Sequence, residues 1–218
     1  YYFEQKVPQA EAALHEVTLC LKLDPTSHDA HLLAGLIHMG RKRNLKAVEH
    51  FQRALELKPD FHFARNNLGA TYLILERWDD AIVQFKSLTE DMLYSRPGHA
   101  QNNLGWAWYK KGDRDKARGH FLAATQVAPR LCPPYNNLGL LLLEEENPQR
   151  ALKYLDRGLK RCPNYTEAYY HRGRALVELR RTSEARKAFQ ECVRFGGEST
   201  LAERCEARLR TLPVEVAK

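Results

Sequence analysis

The sequence predicts an all-α fold made of repeated helix–turn–helix units, and four interlocked series predict it. Glycines recur at Gly35, Gly69, Gly105, Gly139 and Gly173, separated by 34, 36, 34 and 34 residues. Twelve residues after each comes an alanine (Ala47, Ala81, Ala117, Ala151, Ala185), and four further on a large apolar residue (Phe51, Phe85, Phe121, Leu155, Phe189). Prolines at Pro25, Pro59, Pro129 and Pro163 close the units, where they cannot continue a helical hydrogen-bond ladder. Between these marks apolar residues fall three and four apart, on one helical face. The small residues belong where two helices cross closely, with the large residue filling the space beside them.

The elements follow in order from that period. Residues 1–27 form a unit lacking most of its first helix; it opens on Tyr1-Tyr2-Phe3, aromatics that an upstream helix is expected to cover. Full units follow at 28–61, 62–97, 98–131, 132–165 and 166–199. The second of these has two extra residues and replaces its closing proline by Leu93, within DMLYSRPGHA (91–100). That longer corner is either a contact feature or a tolerated loop insertion. A last helix, 200–212, is expected to cap the open end of the stack.

The composition agrees and narrows the function. Of 218 residues 44% are hydrophobic and 10% aromatic, which excludes a disordered chain, and no apolar run approaches the roughly 18 residues of a membrane span. Lys and Arg number 34 against 27 Asp and Glu, a net charge of +7 weighted away from the first sixty residues. The densest run is Arg41, Lys42, Arg43 and Lys46, at the turn of the 28–61 unit. Such charge either steers association with acidic partners or a membrane face, or is simply solvated helical surface. It lacks the basic stripe with interleaved aromatics expected of a nucleic-acid binder, so no nucleic-acid partner is expected. His31 and His38 share a face that packs internally, and no metal set is expected among the nine histidines. Glu144-Glu145-Glu146 reads as solvated surface. No nucleophile–base set, phosphate-cradling glycine loop or carboxylate pair stands out, so neither an enzyme nor a cofactor is expected.

The period, the small-residue positions and strings such as NNLG (66–69, 102–105, 136–139) resemble the tetratricopeptide repeat (TPR) over nearly the whole chain. The resemblance implies one TPR domain over 1–218, a right-handed superhelix of about six repeats with a C-terminal capping helix, and a concave surface lined by the first helix of each repeat. Repeat positions 2, 5, 6, 9, 12 and 13 face that groove. Position 6 reads Asn67, Asn103 and Asn137, an amide ladder suited either to a guest's backbone or to holding neighbouring repeats together. Around it the expected partner-binding groove is apolar and aromatic: Phe63, Leu73, Trp106, Tyr109, Leu140, Leu143 and Tyr170, extended by Leu32, Leu36 and Met39. The Lys-x-x-x-Asn start of chaperone-binding carboxylate clamps is absent.

Laid on the repeat, four cysteines fall into two pairs. Cys132 lies just before one first helix and Cys162 just after its partner, ends that an antiparallel hairpin brings together. Cys192, late in a second helix, and Cys205, in the cap, flank the connecting turn around Gly196-Gly197, so these too could meet. Two disulfides would point to an oxidising compartment; five reduced thiols would suit a cytosolic scaffold. Cys20 sits at repeat position 27, where a small buried residue belongs.

With DMLYSRP (91–97), QNNLGWAWYKKGD (101–113), Cys162-Pro163, AYYHRGRALVEL (168–179) and the two cysteine pairs, the chain resembles one TPR subgroup, the Tgl-type pilotins of type IV pili. That resemblance implies a lipoprotein on the periplasmic face of the outer membrane that binds secretin subunits and promotes their assembly. The membrane would be met only through a lipidated N-terminal cysteine, which is not in this sequence. The alternative is a general TPR adaptor or assembly chaperone in the cytoplasm, not of the carboxylate-clamp type.

Overall fold

The structure, a computed structural model, describes residues 6–213. Tyr1-Tyr2-Phe3 lie outside the described residues. Among those described there are twelve helices and no strand: α1 Lys6–Leu23, α2 His28–Gly40, α3 Asn44–Leu57, α4 His62–Ile74, α5 Trp78–Glu90, α6 Pro97–Lys111, α7 Arg114–Val127, α8 Pro133–Glu144, α9 Pro148–Leu159, α10 Thr166–Glu178, α11 Thr182–Gly196 and α12 Thr200–Thr211. They fall into two compact units, one ending at Gly112 and one beginning at Asp113.

In the first unit α2 packs on α3 and α4 on α5, with α1 against α2 and α6 against α5. In the second, α8 packs on α9 and α10 on α11, α7 lies against α8, and α12 covers α11 and α10. Each hairpin is built around one close approach. A Cβ added to Gly35 would sit 2.5 Å from the Phe51 ring, and one on Gly69 would sit 2.7 Å from Phe85. In the second unit Gly139 meets Leu155 and Gly173 meets Phe189 in the same way, each at 2.5 Å. The alanines four residues before these large side chains are completely buried, as are the large side chains themselves.

The ends of the helices have local causes. Ser27, Asp113, Asn147 and Ser199 cap α2, α7, α9 and α12, each side chain accepting a hydrogen bond from the backbone N–H three residues on. Pro97, Pro133 and Pro148 start α6, α8 and α9, where a missing N–H costs nothing. The turn inside each hairpin repeats one geometry: Lys42, Glu76, Glu146 and Arg180 occupy the left-handed region at φ 55° to 58°, with Gly112 at 96° in the equivalent place. The following N–H reaches back to a carbonyl five residues earlier, as Arg77 does to Tyr72 at 2.9 Å, closing a Schellman-type end. Four of these five positions therefore carry a side chain in a conformation that favours glycine.

The disulfides join Cys132 to Cys162 and Cys192 to Cys205, with Cα separations of 6.3 and 6.2 Å. The first ties the ends of the α8–α9 hairpin and the second staples α12 to α11. Loops of this length stabilise by about 3 kcal/mol each in the chain-entropy account. Cys20 corrects an expectation. It is exposed rather than buried; among the described residues α1 packs only on α2.

Beneath α12, Tyr170 is buried, its hydroxyl accepting a hydrogen bond from Arg204 at 2.9 Å while the Arg204 guanidinium lies 4.7 Å from its ring. Beside it the His171 imidazole is pushed down to about 4, first by burial and then by Arg174 and Arg204. The group is thus neutral when folded and charges readily when unfolded near its ordinary value of 6.5. A depressed histidine contributes stability that is present above the unfolded value and lost as pH falls through the folded one. Stability is expected to drop by on the order of 2 kcal/mol between pH 6.5 and pH 4, a slope that His171→Gln flattens in urea titrations at a series of pH values. At neutral pH, Glu76→Gly is expected to raise stability by about 1 kcal/mol by relieving the left-handed backbone. Gly69→Ala lowers it by about 1–3 kcal/mol by overpacking Phe85, and equilibrium unfolding midpoints check both.

Candidate functional site

In the first unit the first helices α2, α4 and α6 carry the expected face. Phe63 is 51% exposed, with Leu33 on α2 (48%) and Ile74 on α4 (57%) at other groove positions. Leu33 and Ile74 were missed by sequence reasoning, although their repeat positions, 6 and 13, were among those assigned to the groove. They stand out only when exposure is known, since apolar residues at helical spacing otherwise read as core. Leu73, Leu32, Leu36 and Met39 are partly buried against the core of this unit, so only part of each remains on the surface. Trp106 and Tyr109 stack with ring centroids 5.0 Å apart, both half-buried on α6. The stack follows from their i, i+3 spacing, which sets the two rings one above the other.

The asparagines divide their work. Asn67 Nδ2 donates to the Phe63 carbonyl of its own helix at 2.7 Å. Asn103 Nδ2 donates across the hairpins to Asn66 Oδ1 at 3.2 Å, and Asn102 donates to Asn103 Oδ1 at 3.4 Å. An amide chain thus joins α6 to α4, which is the stack-holding alternative realised at Asn103. The corner 91–96 is pinned from inside: Asp91 accepts from the Leu93 backbone N–H at 2.8 Å and pairs with His62 at 2.7 Å. These hydrogen bonds, His62 first, hold its carboxyl below the usual range. Met92 and Leu93 are left 99% and 86% exposed on an ordered turn.

In the second unit the first helices are α8 and α10, with α12 in the next place. Asn137 and Leu140 are half-buried on α8. Leu143 and Tyr170 are buried, both in the core cluster of this unit. They do not line an open surface, which corrects their placement in the groove: α10 packs on α8 and α12 packs on α10, closing over them. Asn136, within the same NNLG string, is buried with its Oδ1 accepting no hydrogen bond.

The histidine pair expected to pack internally includes a third ring. His38 is buried and stacks on His50, centroids 5.4 Å apart, while His31 Nδ1 lies 3.1 Å from His50 Nδ1. Burial, then nearby cations for His38 and the other two imidazoles for His50, pushes both groups down and keeps them neutral at pH 7. No group of three or more His, Cys, Asp or Glu among the described residues is arranged to hold a metal ion. No helix among them is long and apolar enough to cross a membrane.

Comparison with known proteins places these hairpins. Residues 1–60 and 136–199 match the tetratricopeptide repeat family, and residues 50–83 match a second profile of the same description. The type IV pilus assembly protein PilF of Pseudomonas aeruginosa is 25% identical over 197 residues, covering 88% of this chain and 73% of its own length. The DnaJ homolog subfamily C member 7 homolog of Schizosaccharomyces pombe is 24% identical over the whole chain, which spans only 40% of that protein. Among solved structures, that of Pseudomonas aeruginosa PilF superposes with a TM-score of 0.75 at 18% identity, covering 94% of this chain and 92% of its own. PilW, described as a widely conserved type IV pilus biogenesis factor, superposes at 0.77 and 23% identity with the same coverage. At these identities the superpositions speak for the fold, and the family matches cover more than half of the chain. The chain belongs to the tetratricopeptide repeat family.

Proposed function

We propose that this chain is a pilotin-type scaffold of the type IV pilus machine, which binds secretin subunits and promotes their assembly at the periplasmic face of the outer membrane. The observation that carries the reading is the sequence match to PilF, which runs through most of both chains. The geometry supplies a means. Phe63, Leu33 and Ile74 expose apolar surface on the first-helix face of the first unit, and the Trp106–Tyr109 stack adds aromatic area there. Aromatic anchors of this kind carry much of the energy of protein association. Binding a monomer in the form that assembles favours the multimer by differential affinity alone. In the second unit, Asn137 and Leu140 are the remaining candidates for guest contacts. Two disulfides suit an oxidising compartment.

A second reading, a general TPR adaptor, rests on the match of the whole chain to the DnaJ homolog. The discriminating measurement couples thiol state to binding. Under the pilotin reading, native protein shows one free thiol by alkylation and mass spectrometry without reductant. Phe63→Ala and Trp106→Ala each weaken secretin-subunit binding by about 10- to 100-fold and reduce multimer formation, with little change in melting temperature. Five free thiols, together with no secretin-subunit binding by the unsubstituted chain, would support the adaptor instead.

A further inference from the structure

The outward face of α9 stands apart from the surface described so far. Arg150, Lys153 and Arg157 on the helix and Lys160 and Arg161 just past its end keep to three- and four-residue spacing (150, 153, 157, then 160 and 161), and all five are exposed. The opposite face, Ala151, Leu152, Leu155 and Gly158, is buried, which fixes the rotation of the helix and turns the five cations outward. They span about 16 Å at the helical rise.

Among the described residues no ion pair engages any of the five. The single acid on the helix, Asp156, is held by Arg172 at 2.7 Å. Other arginines of this unit, Arg114, Arg118, Arg181 and Arg194, each have a carboxylate partner. Aromatic rings hold two of the five in place without neutralising them. Arg157 and Arg161 lie 5.5 and 5.0 Å from the Tyr135 ring, and Arg161 donates to the Arg157 carbonyl at 2.7 Å. Four of the five line an open depression together with Tyr154 and the Arg172-paired Asp156.

We infer that this face of α9 docks on an anionic lipid surface, its cations engaging headgroup phosphates. Guanidinium forks match phosphate geometry, and dispersed lysines suit a diffuse layer of charge. A folded protein partner fits less well. Its affinity would need apolar anchors, and lysine is depleted from the cores of such interfaces. The exposed large hydrophobics of this unit among the described residues are Val127 and Val177, on α7 and α10, and none is on α9. The inference is independent of secretin binding, which was placed on the first-helix face.

The test is flotation of the full chain with vesicles of phosphatidylcholine and phosphatidylglycerol in equal parts, against phosphatidylcholine alone. The chain is expected to float only with the anionic vesicles, and less so as salt rises. Lys153→Ala with Lys160→Ala is expected to lower the partition coefficient by about 30-fold, near five-fold for each cation. Lys187→Ala with Arg208→Ala, which removes the same charge from α11 and α12, is expected to lower it by less than about three-fold. Equal losses in the two double variants would reduce the effect to net charge and overturn the assignment. So would no preference for anionic vesicles, or tighter binding to polyglutamate than to vesicles at equal anionic charge, the last pointing to an acidic polypeptide.

Discussion

Each hairpin depends on the contact between a glycine in its first helix and a large apolar side chain in its second. At Gly35, Gly69, Gly139 and Gly173 the partner ring or isobutyl group occupies the place where a Cβ would be. That contact sets how near the two helix axes come. The buried alanine one turn before the large residue continues the close approach along the crossing. Because the interaction recurs in each unit, its spacing in the chain becomes the period of the fold. Position 24 accepts Leu155 as well as phenylalanine, so the requirement is for filled volume rather than for a ring.

With the hairpin held constant, the two units differ in how they use their first-helix faces. The first leaves Leu33, Phe63 and Ile74 partly in solvent and ties α4 to α6 through an amide chain. The second ends under α12, which buries Tyr170, draws Arg204 onto its ring and is held in place by the Cys192–Cys205 bridge. A repeat array needs such a cap, since its last unit otherwise presents core residues to water. The charged surface is divided in a similar way. Arg114, Arg118, Arg172, Arg181, Arg194 and Arg210 of the second unit each pair with a carboxylate, whereas the arginines of α9 do not, although the two groups look alike in composition.

Much of this was legible in the residues. The glycine, alanine and phenylalanine series identified the units, the crossing positions and the turns, because each records a steric demand that few side chains satisfy. The cysteine pairs were legible for the same reason: once the hairpin was assigned, Cys132 and Cys162 had to lie at its joined ends. The candidate site was read less completely. Leu143 and Tyr170 were assigned to a surface and are core, whereas Leu33 and Ile74 were passed over and are exposed. A helical period says which residues share a face, but it does not say what another helix lays over that face.

The sequence by itself determined the fold, the length of its units, their family and which cysteines lie near one another, all of which rest on local spacing and on volume at fixed positions. The tertiary structure alone decided which apolar residues remain exposed and that Cys20 is exposed. It also decided that Asn103 spends its amide on Asn66, and that the one acid of α9, Asp156, pairs with Arg172 rather than with the cations of its own helix. Those facts depend on neighbours distant in the chain, whose contacts no periodicity encodes. The same residue type at the same repeat position is therefore core in one hairpin and surface in another, according to what packs across it.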